Sequence, residues 1–159
     1  MIGARISRFI RWFAGFGLLL MTAVIGWQVF ARYVLNDSTA WAESAAQLLM
    51  IWFVMFAAAA GVREGFHIRI GVVANALPGK WKTAVDLAAH AVVGLFGASM
   101  AAWGTELVLA TWEHVIPALD LPRGVAYLPI PLAGLLIFGF SIEHIVTDLR
   151  GREIDPTWN

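Results

Sequence analysis

The side chains able to do chemistry are few: four histidines, eleven carboxylates and no cysteine in 159 residues. The lack of thiols removes disulfides, thiolate metal sites, iron–sulfur clusters and thiol–quinone redox reactions, leaving imidazole as the only nitrogen ligand. His90 and His144 fall in the same half of two long apolar stretches that run in opposite directions. Two imidazoles at one depth could ligate haem iron from both faces, the arrangement of a haem b-type membrane anchor of a respiratory enzyme. The competing expectation is that each histidine hydrogen-bonds a neighbour such as Asp86 or Asp148. Ser44 and Ser141 have no base at a suggestive spacing, and Glu106 with Glu113 has only the lone His114 nearby, so neither a catalytic group nor a metal site is expected. The chain does not read as an enzyme.

The elements that hold these residues are set by composition. Apolar residues make up 60% and charged residues 14%, against about 45–50% and about 25% in soluble domains. That composition predicts an all-α integral membrane protein of one domain with four transmembrane helices, over about 12–33, 41–62, 83–112 and 126–149. Trp12 to Ala31 carries no formal charge for twenty residues, and at about 1.5 Å per residue it spans roughly the 30 Å of a hydrocarbon core. A signal peptide has a shorter apolar region, about 7–15 residues, so an uncleaved span is expected. The formal net charge is +0, which offers no field for nucleic acid or a polyanion.

Lysine and arginine fix the expected orientation, because positively charged connections stay in the cytoplasm. Arg5, Arg8 and Arg11 before the first helix, Arg63, Arg69, Lys80 and Lys82 between the second and third, and Arg150 and Arg152 after the fourth put nine on one side; Arg32 and Arg123 put two on the other. Both termini are therefore expected in the cytoplasm. Trp12 and Trp81 fall at inner boundaries, while Tyr33, Trp41, Trp112 and Tyr127 fall at outer ones, where amphipathic rings settle. Between the second and third helices, residues 66–79 interleave Ile68, Ile70 and Val72 with His67, Arg69 and Asn75. Too polar to span and too apolar for a free loop, this segment is expected along the cytoplasmic interface.

Charged groups at span ends are functional candidates. Glu43 opens the second helix, where a carboxylate meets the positive end of the dipole, and Trp41 anchors the same end; the pair suits either a capped helix end or contact with a partner. Arg63 and Arg69 could engage anionic lipid headgroups or a partner's carboxylate. Asp86, His90, Gly94, Ala98, Ala102 and Glu106 recur every four residues, a ridge whose small middle members Gly94, Ala98 and Ala102 let another helix approach, from within the chain or from a separate subunit. No pair of Gly/Pro-broken helices in matching halves marks a midplane substrate site. A small efflux protein would therefore need an oligomer with its own substrate path.

Three patterns in order resemble the small membrane subunit of tripartite ATP-independent periplasmic (TRAP) transporters, the DctQ-like family. These are Trp41-Ala42-Glu43 followed by Leu48 to Trp52; Val62-Arg63-Glu64-Gly65-Phe66-His67-Ile68-Arg69-Ile70; and Pro117 to Pro122 followed by Tyr127, Pro129, Ile130 and Pro131. The second is the most specific. Ser44 departs from the second carboxylate of many relatives, and Gln47 from a common basic residue. The resemblance implies a scaffold subunit without cofactor or metal, bound to a large multi-span subunit that moves an organic acid or similar solute on the sodium gradient after delivery by a periplasmic binding protein. It further implies that Glu43 and the Asp120 to Tyr127 segment, with Pro122 and Tyr127, lie on the periplasmic side. Arg63, His67 and Arg69 would lie at the cytoplasmic interface.

Overall fold

The computed structural model describes residues 2–37, 39–65 and 79–150. The interfacial segment expected over 66–79, with His67 and Arg69, lies outside the described residues except for Gly79. The described chain folds as α1 (Ile2–Tyr33), α2 (Ala40–Arg63), α3 (Gly79–Thr111), a two-residue strand β1 (Val115–Ile116), β2 (Leu121–Pro122), a short α4 (Arg123–Tyr127) and α5 (Pro129–Leu149). Four stretches are long and apolar enough to cross a membrane: Arg5–Tyr33, Ala40–Arg63, Lys82–Thr111 and Arg123–Leu149.

Helix α1 begins ten residues before the uncharged stretch. Ser7, Ile10, Ala14, Gly17 and Ala31 are buried, with Met21, Val24 and Gln28 half-buried between them. That alternation of three and four residues is a coiled-coil seam, and it starts within the arginine-bearing arm, so packing carries the helix past the membrane boundary. A Cβ on Gly17 would fall inside the Phe53 ring of α2, which fixes how closely the two helices cross.

Helix α2 ends where Gly65 takes a φ of 75°, the left-handed position that closes a helix C-terminus, and the Gly65 N–H donates to the Val62 carbonyl at 3.2 Å. Prolines shape the other end of the fold. The fourth span breaks after α4 because Pro129 has no N–H to offer the Val125 carbonyl four residues back. The Trp52 indole takes that vacant acceptor, donating from Nε1 at 3.1 Å. Between α3 and α4, Val115 pairs with Pro122 and Ile116 with Leu121 in an antiparallel hairpin. Its turn holds Ala118 at φ 67° and Asp120 at φ 51°.

Contacts run in a row: α1 packs on α2, α2 on α5, and α5 on α3, with no comparable contact closing α1 against α3. The seam between α3 and α5 is the tightest. A Cβ on Gly97 would come within 2.8 Å of the Phe138 nitrogen, and one on Gly134 within 2.7 Å of the Ala101 nitrogen and the Gly97 carbonyl oxygen, so the two backbones touch. The core lies where α1, α2 and α5 meet, built from Ile10, Ala59, Ala60, Val62, Ala133, Ile137 and Phe140. Of the most apolar window in each span, 39% is buried in the fourth and 11–17% in the other three. Most of the surface of the row is therefore left to lipid or to a partner.

Candidate functional site

One end of the row gathers polar and charged groups from all four helices. The Ser7 hydroxyl of α1 donates to Glu64 Oε1 at 2.6 Å. Arg63 places Nη1 at 3.7 Å from the same carboxylate oxygen and Nη2 at 3.4 Å from Glu143 Oε1 of α5. The Arg63 and Glu64 side chains are 3% and 0% exposed. One step further along α5, His144 donates from Nε2 to the Arg63 carbonyl at 3.0 Å; a carbonyl only accepts, so that nitrogen carries the hydrogen. This bond satisfies one of the carbonyls that a helix C-terminus leaves unpaired. On α3, His90 Nε2 lies 3.4 Å from Asp148 Oδ2, and its ring stacks on His144 with centroids 4.5 Å apart and planes 10° from parallel.

The cluster is an ionic clamp. Arg63 sits between two carboxylates, and the serine and histidines tie the outer helices of the row to the inner ones. Buried charges of this kind are tolerated only when paired, and loss of one partner leaves the other uncompensated.

This placement gives Arg63 carboxylate neighbours within its own chain, which the sequence reading did not name. Its side chain is 3% exposed and lies between two carboxylates of its own chain, hydrogen-bonding Glu143 through Nη2 while Nε and Nη1 have no hydrogen-bond partner among the described residues. The stacked histidines do not fit a haem: rings in face-to-face contact leave no gap for a macrocycle between them. His90 instead lies beside Asp148, one of the neighbours expected for it, at 3.4 Å and without a hydrogen bond to it. Ser7, Glu64 and Glu143 were not singled out from sequence. The available signal was the adjacency of Arg63 and Glu64 at the end of one span, facing Glu143 and His144 at the matching depth of an antiparallel one.

At the opposite end a cleft of about 250 Å³ opens between α2 and the hairpin, lined by Ser44, Gln47, Leu48, Pro117, Arg123 and Tyr127 among others. The Ser44 hydroxyl closes its floor by donating to the Pro117 carbonyl at 3.2 Å. Tyr127 is thus a half-buried lining residue, and Pro122 is both the end of β2 and the N-cap of α4. Trp41 and Glu43 are exposed on the first turn of α2.

The every-four ridge and the internal seam share only part of their course. Gly94 is buried, with a Cβ there meeting the Ser141 side chain at 3.2 Å, Ala98 is half-buried, and Ala102 is exposed. The seam instead follows His90, Gly94, Gly97, Ala101, Gly104 and Val108. Four residues advance about 40° beyond a full turn at 3.6 residues per turn, so a strict every-four ridge winds out of a straight contact.

The sequence profile for "Tripartite ATP-independent periplasmic transporters, DctQ component" matches residues 21–151. The chain belongs to the DctQ family. This DctQ protein is 33% identical over 103 residues to the C4-dicarboxylate TRAP transporter small permease protein DctQ of Rhodobacter capsulatus, covering 63% of this chain and 45% of that one. It is 24% identical over 144 residues to the isethionate TRAP transporter permease protein DctMQ of Oleidesulfovibrio alaskensis, covering 86% of this chain but 22% of that longer protein. With the sialic acid TRAP transporter small permease protein SiaQ of Vibrio cholerae it shares 29% identity over 125 residues, 79% of this chain and 72% of that one. The DctQ chain thus spans less than half the length of the first two of these relatives.

Proposed function

We propose that this chain is the small accessory subunit of a TRAP-type secondary transporter, a static wall beside a large multi-span subunit that performs the transport. The match to the family over residues 21–151 carries the reading. Two features support it. The open row of helices leaves most of each span's apolar surface uncovered within the chain, as suits a wall completed by a partner. The relative named DctMQ, of which the alignment occupies 22%, joins a Q-like portion to a much longer permease chain.

In this reading the complex sits in the bacterial inner membrane with both termini of the small subunit in the cytoplasm. The arginines of the N-terminal arm, Arg5 and Arg8 exposed among them, meet anionic lipids of the inner leaflet. Trp41, Glu43, Pro122 and Tyr127 face the periplasm, where a binding protein delivers its solute. Relatives are named for C4-dicarboxylate, isethionate, sialic acid and ectoine, so an organic acid or similar solute taken up with sodium is the proposed cargo. The family is one of transporter components, and no enzymatic role is assigned.

Co-expression of a tagged small subunit with the permease and binding-protein genes beside its own tests this. A multi-span partner should co-purify at a fixed ratio, and sodium-dependent uptake should fall to background when the small subunit is omitted. Full uptake without it, or isolation of the chain alone from membranes containing the permease, would refute the proposal.

A further inference from the structure

In the clamp, Glu64 and Glu143 have Arg63 beside them, and Asp148 lies 3.4 Å from the His90 ring. Glu106 on α3 is different. It is exposed and forms no hydrogen bond or ion pair among the described residues. It stands two residues from both Gly104 and Val108 of the seam, about 200° around the helix at 3.6 residues per turn, so it points away from α5.

Its surroundings give no help. Ala102, Trp103, Leu109 and Ala110, one turn to either side, are all exposed and apolar. At roughly 1.5 Å per residue, Glu106 lies about 24 Å along α3 from His90 and about 9 Å short of Trp112. That places it near the outer edge of a hydrocarbon core about 30 Å thick, toward the wetter end of the helix. A carboxylate there, on an apolar helix face, is favoured by a compensating cation at the same depth. Because α3 ends the row, no described helix of this chain packs on that side.

We propose that this face of α3, centred on Glu106, docks a transmembrane helix of the large subunit carrying a lysine or arginine at the matching depth. The inference rests on the accessory-subunit reading. Charge complementarity selects the occupant: acyl chains bring no cation, and a second copy related by two-fold symmetry would set Glu106 against Glu106. Ala98 and Ala102, on the same side, leave room for the partner's backbone.

The absence of cysteine makes Ala102→Cys the single thiol of this chain, which can be labelled on the purified small subunit before assembly with the other components. Charged with a photoactivatable maleimide, it should give an adduct with the large subunit; an adduct with a second copy, or with lipid only, overturns the proposal. Glu106→Lys should lower the large subunit recovered per small subunit at least tenfold, and Glu106→Gln severalfold, while undiminished recovery with Glu106→Lys also overturns it. Should Glu106→Lys fail to accumulate, the Ala102→Cys adduct still decides. If the wild-type chain recovers no multi-span partner, the accessory reading fails and takes this inference with it. If the partner is recovered but Ala102→Cys does not reach it, the docking face alone is wrong.

Discussion

Arg63 shows how a single buried charge can set the geometry of several helices. Its two carboxylate partners come from the residue beside it and from α5, and its own carbonyl takes a bond from His144. Arg63→Ala leaves the fully buried Glu64 carboxylate without the Arg63 cation, beside a Glu143 that is 32% exposed, and the expected loss is about 3 kcal/mol, readable as a lowered unfolding midpoint in detergent. Arg63→Met combined with Glu64→Gln and Glu143→Gln removes the charges together and should recover more than half of that loss; a triple variant as unstable as Arg63→Ala would show that packing of the arginine stem, and not pairing, dominates. The role of Arg63 was only half legible in the sequence. Its position at the end of a span marked it as unusual, but the acids that satisfy it lie one and eighty residues away. Only the antiparallel register of α2 and α5 brings the second of them into reach.

At the scale of elements, the spans could be read from charge and hydropathy because lipid imposes them, whereas the seams depend on which small residues happen to face one another. In a bilayer no hydrophobic force drives helices together, and close approach of backbones decides the contact. Gly134 and Gly139 on α5 are alike in sequence but not in setting. A Cβ on Gly134 would press within 2.7 Å of α3 backbone atoms, while one on Gly139 meets nothing within 4 Å. Gly134→Ala is therefore expected to cost about 1–3 kcal/mol by overpacking, and Gly139→Ala to be neutral or slightly stabilising, since alanine favours a helix over glycine by up to about 1 kcal/mol. Equal unfolding midpoints for the two variants would contradict the backbone contact. The break at Pro129 was partly legible in the same way. Proline announces a missing donor, but that Trp52 from another helix would take the freed Val125 carbonyl is a fact of three dimensions.

For the whole molecule, the ends of the row differ in kind, and that difference bears on its orientation. The clamp end is ionic, crosses all four helices and adjoins the arginine-bearing arm; the hairpin end is built of prolines and aromatics, with Arg32 and Arg123 its exposed cations. The cost of translocating lysine and arginine holds the richer end in the cytoplasm, so the clamp should lie at the inner leaflet and the cleft at the outer. Single cysteines in a chain that has none of its own can read this directly in intact cells. Asp37→Cys, in the connection between α1 and α2, and Asp120→Cys, in the hairpin turn, should react with a membrane-impermeant maleimide added outside. Arg150→Cys, just past α5, should react only after the membrane is opened or inverted. Both hairpin-end positions are exposed, so protection there could not be blamed on burial within the chain. Labelling of Arg150→Cys from outside, with protection of the other two, would invert the subunit, put the clamp on the periplasmic face and remove Trp41 and Glu43 from the side proposed to meet the binding protein's solute.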